Sequence, residues 1–304
     1  MKKSIEDKPT PFEEHVRKNL GATNPAIFGL NDGKHWSGSG IYVSIKEKCF
    51  IATAAHVGRL IEQSGPNVFI MSDPIKGKKL PLNYSKILFP NPKSCEDVLD
   101  VCVIVLNGTK KHQPKTGWRF LSLTSISLDD GFENGKYDYI QIGLPFEFSN
   151  LKPTAKDPKG LDAILRTIIN VTTGYREKDV INYNSKCQLI VKHYPDAVGL
   201  LYRNESSEFE RMDEKPTSIS GMSGGGIWKY RVLKTKSEKR VRKKDLKLVA
   251  IEHSWRPNKY IKATKIGYAL HLIYIEFPDL PDPLGIYRKK RKGLVRFNDR
   301  WKSC

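Results

Sequence analysis

The feature that most constrains this chain is how short its apolar runs are. Runs rich in β-branched and aromatic residues recur at 40–45, 49–53, 67–71, 85–89, 101–106, 137–142, 188–191, 197–202, 226–230 and 248–252, separated by Gly, Pro, Asn and Asp. Long amphipathic helical patterns do not alternate with them, which argues against a parallel α/β sheet. The pattern predicts an all-β chain, mostly antiparallel, closed into barrels or sandwiches. The longest uninterrupted apolar stretch is VCVIVL at 101–106, far short of the roughly 18–20 residues that span a bilayer. One helix is predicted near the start: Thr10 as N-cap, Pro11 at the first helical position, Glu13 in the capping box, and Gly21 to stop it.

With 304 residues there is ample chain for a core in one large or two medium domains. The formal charge is +19, from 52 Lys and Arg against 33 Asp and Glu. That charge is concentrated. Residues 231–247 hold nine basic and two acidic side chains, and residues 284–304 hold eight basic and one acidic. Each segment is therefore +7, leaving about +5 for the rest. Two readings stay open for these segments. They form a footprint for nucleic acid or an acidic partner, with Tyr287, Phe297 and Trp301 available for stacking, or they are a solvated hairpin and a frayed terminus. The five cysteines are odd in number and scattered without a CxxC pair, which argues against a disulfide framework and against a zinc site. Residues 1–7 lack an apolar signal core, and a reducing, cytoplasmic setting without membrane contact is the expectation.

Three segments carry chemistry. Ile51-Ala52-Thr53-Ala54-Ala55-His56 is a strand that runs into small residues and then a histidine. Asp100 sits at the mouth of the apolar run 101–106. Gly221-Met222-Ser223-Gly224-Gly225-Gly226 sets a serine among glycines before another strand. A serine hydroxyl needs an adjacent base to act as a nucleophile, and a histidine oriented by a buried carboxylate supplies one. Glycines allow a tight turn and leave backbone N–H groups free to stabilise an oxyanion.

These segments, in the order His, Asp, Ser, resemble the signature segments of the trypsin-like, chymotrypsin-fold serine proteases, and intracellular bacterial trypsin-like peptidases in particular. Gly38-Ser39-Gly40 is similar to the family's opening hairpin, and Leu248–Trp255 to the strand lining its substrate cleft. The resemblance covers about residues 35–278. It implies two antiparallel six-stranded β-barrels with the site between them: a helical extension over 1–24, a first barrel over 25–125 with His56 and Asp100, a second barrel with insertions over 126–283 with Ser223, and a basic tail over 284–304. It further implies His56 as general base and then acid, Asp100 as its orienter, Ser223 as nucleophile, and the N–H groups of Gly221 and Ser223 as oxyanion hole. Thr217, six residues before Ser223, matches the base of the specificity pocket, and His253 lies near the cleft as a candidate substrate contact. No metal, nucleotide or organic cofactor is implied.

The sequence departs from the digestive enzymes of that family. Met222 stands where they carry an aspartate that pairs with a new N-terminus, and the 123-residue step from Asp100 to Ser223 predicts inserted chain within 150–215. Control of activity by a protein partner is the expected substitute. Asp97 is a weaker rival to Asp100, because it does not directly precede the apolar strand. The GMSGG motif also fits the nucleophile elbow of α/β-hydrolases, with Asp245 and His253 or His271 as partners; that fold needs a helix after the serine, where this sequence reads as turn then strand. The functional expectation is a serine endopeptidase acting on protein or peptide through an acyl-enzyme. The alternative is a protease-fold binding module with an idle triad, using 231–247 and 284–304 to hold nucleic acid or an acidic partner.

Overall fold

The structure is a computed structural model that describes residues 20–71, 79–90, 99–109, 119–131, 137–143, 150–154, 157–164, 168–175, 180, 183–193, 200–202, 209–211, 221–231, 233–234, 239–240, 246–256, 259–289 and 295–297. The predicted helix up to residue 19, Asp97, Thr217 and most of the basic segments 231–247 and 284–304, Trp301 included, therefore lie outside the described residues.

The first half contains β1 (Ala26–Asn31), β2 (Lys34–Ser39), β3 (Ile41–Ile45), β4 (Lys48–Thr53), α1 (Ala55–Ser64), β5 (Val68–Met71), β6 (Lys79–Pro81), β7 (Tyr84–Leu88) and β8 (Cys102–Thr109). β1 and β2 form a hairpin over Asp32-Gly33, both at positive φ (49° and 75°), as a tight turn matched to strand twist requires. Hydrogen bonds arrange two antiparallel sheets, β2-β1-β5-β6 and β3-β4-β8-β7. β2 runs into β3 through Gly40 alone, and β6 into β7 through Leu82 and Asn83. Each of these pairs is one strand that bends from sheet to sheet, the usual way an orthogonal packing turns its corners. Six strands then pair in a closed ring: β1, β2/β3, β4, β8, β7/β6, β5 and back to β1. A Cβ at Gly40 would stand 2.4 Å from Cγ2 of Ile51, so the bend admits no side chain.

The interior of this barrel holds Ile27, Tyr42, Ile51, Val68 and Ile104, with Val57 and Ile61 of α1 closing one end. The opposite faces of β3, β4 and β8, carrying Val43, Phe50, Val103 and Val105, are buried in a second cluster shared with the other half of the chain. Burial on both faces explains why 101–106 is apolar throughout instead of alternating.

The second half contains β9 (Asp138–Gly143), β10 (Asn150–Thr154), β11 (Asp157–Ile164), β12 (Ile168–Thr172), β13 (Gln188–Lys192), β14 (Leu200–Tyr202), β15 (Phe209–Arg211), β16 (Gly226–Tyr230), β17 (Leu233–Lys234), β18 (Lys239–Arg240), β19 (Lys247–Arg256), β20 (Tyr260–Lys265), α2 (Ile266–Glu276), β21 (Tyr287–Lys289) and β22 (Val295–Phe297). Six of these strands form one antiparallel sheet in the order β12-β9-β16-β19-β20-β13. Its edges meet, because Gly174 bridges Val191, Lys192 N–H donates to Thr173 O at 2.9 Å, and Tyr175 N–H donates to Ile190 O at 3.1 Å. The second barrel is thus closed as well. Inside it lie Tyr139, Leu189, Val191, Met222, Ile227 and Ala250. Ile140, Ile142, Trp228, Leu248 and Ile251 point the other way, into the cluster that joins the halves, and α2 covers that cluster with Ile266, Leu270 and Ile273.

The all-β architecture of two six-stranded antiparallel barrels is the one the sequence implied. The ribbons β10-β11 and β14-β15 stand apart from the six-stranded sheet and fall within the span where inserted chain was predicted. Two features correct the sequence reading. α1 and α2 add two helices that the sequence reading did not place. Cys187 is disulfide-bonded, its partner lying outside the described residues, whereas the scattered cysteines had argued against disulfides; Cys49 and Cys102 are free and buried. Among the described residues no helix is long and apolar enough to cross a membrane.

Candidate active site

Thr53 ends β4, and Ala54 and Ala55 turn the chain directly into α1, whose first turn carries His56. Small residues are required here. Ala54 is fully buried, its carbonyl accepts both the Gly58 N–H at 3.1 Å and the Cys102 thiol at 3.4 Å, and a Cβ at Gly58 would meet Cys102 Sγ at 2.5 Å. α1 has no side-chain N-cap of its own. Asp100 supplies one from across the barrel: its Oδ1 accepts the backbone N–H of His56 at 3.0 Å, and its Oδ2 lies 2.7 Å from His56 Nδ1. The two contacts fix the ring plane and make Nδ1 the protonated nitrogen, which leaves Nε2 as the acceptor. Burial works to raise the Asp100 carboxyl, but the His56 side-chain bond, electrostatic interaction with the His56 and His253 rings, and the His56 backbone N–H together hold it below its usual value. His56 keeps 40% of its side chain exposed and Asp100 29%, so the pair opens to solvent on one side.

Ser223 comes from the second barrel, in the turn before β16. This turn docks on the bend of the first barrel at Ser39. Ser39 N–H donates to Ser223 O at 2.8 Å and Ser39 Oγ donates to Gly221 O at 3.1 Å, while Thr53 Oγ1 holds Ser39 O at 2.7 Å. Gly224, at φ 93°, lies against the same bend; a Cβ there would stand 1.9 Å from Ser39 O and 2.2 Å from Thr53 Oγ1. Met222 points away from the cleft, fully buried in the apolar interior of the second barrel, with its carbonyl taking the Gly225 N–H at 2.8 Å. The turn is therefore anchored by an apolar plug where a digestive enzyme has an ion pair. Among the described residues, the N–H groups of Gly221 and Ser223 have no acceptor.

The structure brings His56 and Asp100 into direct contact and places Ser223 beside the strand that leads to them. The Ser223 hydroxyl donates to the carbonyl of His253 at 3.4 Å; no bond joins it to His56. His253 sits on β19, with its ring turned toward Asp100 at 3.9 Å (Nδ1 to Oδ2). Burial, at 9% exposure, pushes its pKa down to about 4. Next to it Glu252 is 1% exposed and receives Gln141 Nε2 at 2.9 Å; burial pushes its carboxyl up to about 8. Glu252 also holds the Ser223 turn through its backbone, accepting the Gly224 N–H at 2.7 Å and donating to Gly225 O at 2.8 Å. Sequence reasoning assigned no role to Ser39, Thr53, Glu252 or Gln141. Ser39 lay in a segment already noticed, Gly38-Ser39-Gly40, but its partners are 182 residues away in the case of Gly221.

No family model matches the sequence, and no curated protein matches it. Solved structures similar to this one are proteases. A scabies mite inactivated protease paralogue is 14% identical, with a TM-score of 0.47 over 86% of this chain and 96% of its own. The HtrA-type protease AlgW with tripeptide is 12% identical, with a TM-score of 0.46 over 88% of this chain and 64% of its own. Catalytically active tobacco etch virus protease complexed with product is 11% identical, with a TM-score of 0.44 over 90% of this chain and 83% of its own. Identities this low leave every residue role to be argued from the chain's own geometry.

Proposed function

We propose that this protein is a serine endopeptidase that cleaves peptide bonds through an acyl-enzyme, with Ser223 as nucleophile, His56 as general base and then acid, and Asp100 as orienter. The observation that carries the reading is the two-point grip of Asp100 on His56, with Nδ1 at 2.7 Å and the backbone N–H at 3.0 Å. That grip leaves Nε2 bare to act as the base. For attack, the Ser223 hydroxyl leaves the His253 carbonyl and turns its proton to Nε2. The imidazolium that forms is stabilised by the Asp100 carboxylate. The carbonyl oxygen of the scissile bond gains charge beside the unbonded N–H groups of Gly221 and Ser223, whose removal one at a time typically costs about 10²–10³ in rate. His56 then returns the proton to the leaving amine, and water repeats the sequence on the acyl-enzyme.

Thr217 as base of the specificity pocket, activation by a protein partner and an intracellular setting belong to the same proposal. Anchoring of the turn by Met222 removes any need for a new N-terminus to order it. The test is covalent labelling by a fluorophosphonate, read by peptide mass spectrometry. Labelling at Ser223 is expected, and His56→Ala is expected to abolish it. An unlabelled but folded protein, with or without candidate partners, would refute the enzyme reading and favour a binding module built on the basic segments.

A further inference from the structure

β19 does not pair regularly with β20. Glu252 lies opposite Ala263 and Ser254 opposite Lys262, so His253 is an extra residue with no cross-strand partner. A bulge of this kind re-aims a side chain. Here it carries the His253 ring off the second barrel to the Asp100 carboxylate of the first. Its Nδ1 is 3.9 Å from Oδ2, the same oxygen that His56 Nδ1 approaches to 2.7 Å. The same residue's carbonyl accepts the Ser223 hydroxyl at 3.4 Å, so His253 approaches Asp100 through its ring and Ser223 through its backbone. Its ring is nine-tenths buried, and its Nε2 is buried without a partner. The groups facing the ring are Asp100 and His56 from the first barrel and Lys262 from β20. Burial holds the imidazole neutral, against the pull of Asp100 and with Lys262 working in the same direction as burial, and leaves one N–H to place. Facing Asp100 with that N–H leaves Nε2 as the bare, buried nitrogen.

We infer that His253 is a positioning residue: its ring walls the rear of Asp100 and turns an N–H dipole onto Oδ2, so that the carboxylate orienting His56 is held between two imidazoles. This rests on the triad reading for its bearing on catalysis, while the geometry of the Asp100–His56 pair stands apart from it. The dipole's positive end opposes the imidazolium that His56 becomes. Removing the N–H while keeping the ring's bulk concentrates the Asp100 charge on His56.

The test compares wild type, His253→Phe and His253→Asn, with His253→Leu in reserve should the phenylalanine variant lose its far-UV circular dichroism. Two readouts are taken. One is the low-field proton NMR signal of the hydrogen between His56 and Asp100, and the other is the pH profile of fluorophosphonate labelling at Ser223. In His253→Phe the bridging proton is expected to move downfield and the labelling midpoint to rise by about one pH unit, slowing labelling roughly tenfold below the midpoint. His253→Asn, which restores a donor, is expected to return both toward wild type. An unmoved proton and midpoint in the apolar variants, or an asparagine variant that behaves as they do, would overturn the inference. Absence of labelling in wild type would instead refute the peptidase reading, while a shifted bridging proton would still support the role of His253 toward Asp100.

Discussion

Glu252→Gln isolates a carboxyl whose ionisation burial suppresses. The wild-type carboxyl is 1% exposed with Gln141 as its hydrogen-bond donor, and burial raises it from 4.5 to about 8. The folded protein therefore keeps the proton through neutral pH, whereas the unfolded chain sheds it near 4.5. A folded-state pKa above the unfolded one gives stability that is complete below 4.5 and is lost as pH rises toward 8. Each pH unit inside that window costs about 1.4 kcal/mol, so about 4 kcal/mol disappears between roughly pH 5 and pH 8. Glutamine keeps the shape and still offers an oxygen to Gln141, but it cannot ionise. His253 and Asp100 titrate in both proteins, so their contributions drop out of the difference.

The assay is urea unfolding of both proteins in parallel at several pH values across that window. The variant's advantage over wild type is expected to grow by about 4 kcal/mol from roughly pH 5 to pH 8. A gap that stays constant within about 0.5 kcal/mol, the scatter of additivity between independent sites, would show that Glu252 is not held protonated. A gap that shrinks with pH would mean an ionised carboxylate with a cationic partner. Either result refutes the reasoning.

Two further outcomes follow from the nucleophile turn. Gly224→Ala forces a Cβ to within 1.9 Å of Ser39 O at φ 93°; it is expected to cost about 3 kcal/mol or more and to abolish Ser223 labelling, checked by unfolding and by mass spectrometry. Met222→Ala empties an apolar site at full burial. A loss of about 2–5 kcal/mol in unfolding free energy is expected, with labelling slowed because the turn loses its plug.

The parts of the site that were legible in the sequence are those fixed by local rules. A histidine behind two alanines and a strand, an aspartate at the mouth of an apolar run, and a serine among glycines each declare their chemistry within a few residues, and the barrels place His56 and Asp100 together. Asp32-Gly33 also declares a hairpin by turn chemistry alone, although β1 and β2 were not read from it. α1 buries Val57, Gly58, Ile61 and Ser64 on one face, with Gly65 as a stop, a signal masked by its proximity to TAAH. α2 buries side chains all round, at Tyr268, Ala269, Leu270, Leu272 and Ile273 among others, so it lacks the amphipathic period that would distinguish it from a buried strand. The contacts of Ser39, Glu252 and His253 were not legible, because they are set by where two distant stretches of chain meet. The β19 bulge that turns His253 toward Asp100 leaves no local mark in Ile251-Glu252-His253-Ser254.

Those distant contacts decide whether the three chemical groups act as one. Ser39 is the point where the halves register on each other: its amide and hydroxyl hold the carbonyls of Ser223 and Gly221, and its own carbonyl is held by Thr53. Thr53 is three residues from His56 along the chain, so the turn carrying Ser223, the proposed nucleophile, is tied by a short path to His56, the proposed base. His253 closes the loop from the other side, reaching Ser223 through its carbonyl and Asp100 through its ring. A displacement of about 1 Å between reacting groups can cost about 10²-fold in rate, and two independent ties across one seam are what restrict that displacement. On the proposed reading the chemistry therefore depends on more than His56, Asp100 and Ser223: on a serine at a strand bend, a glycine that admits no Cβ and a histidine set off-register by a bulge.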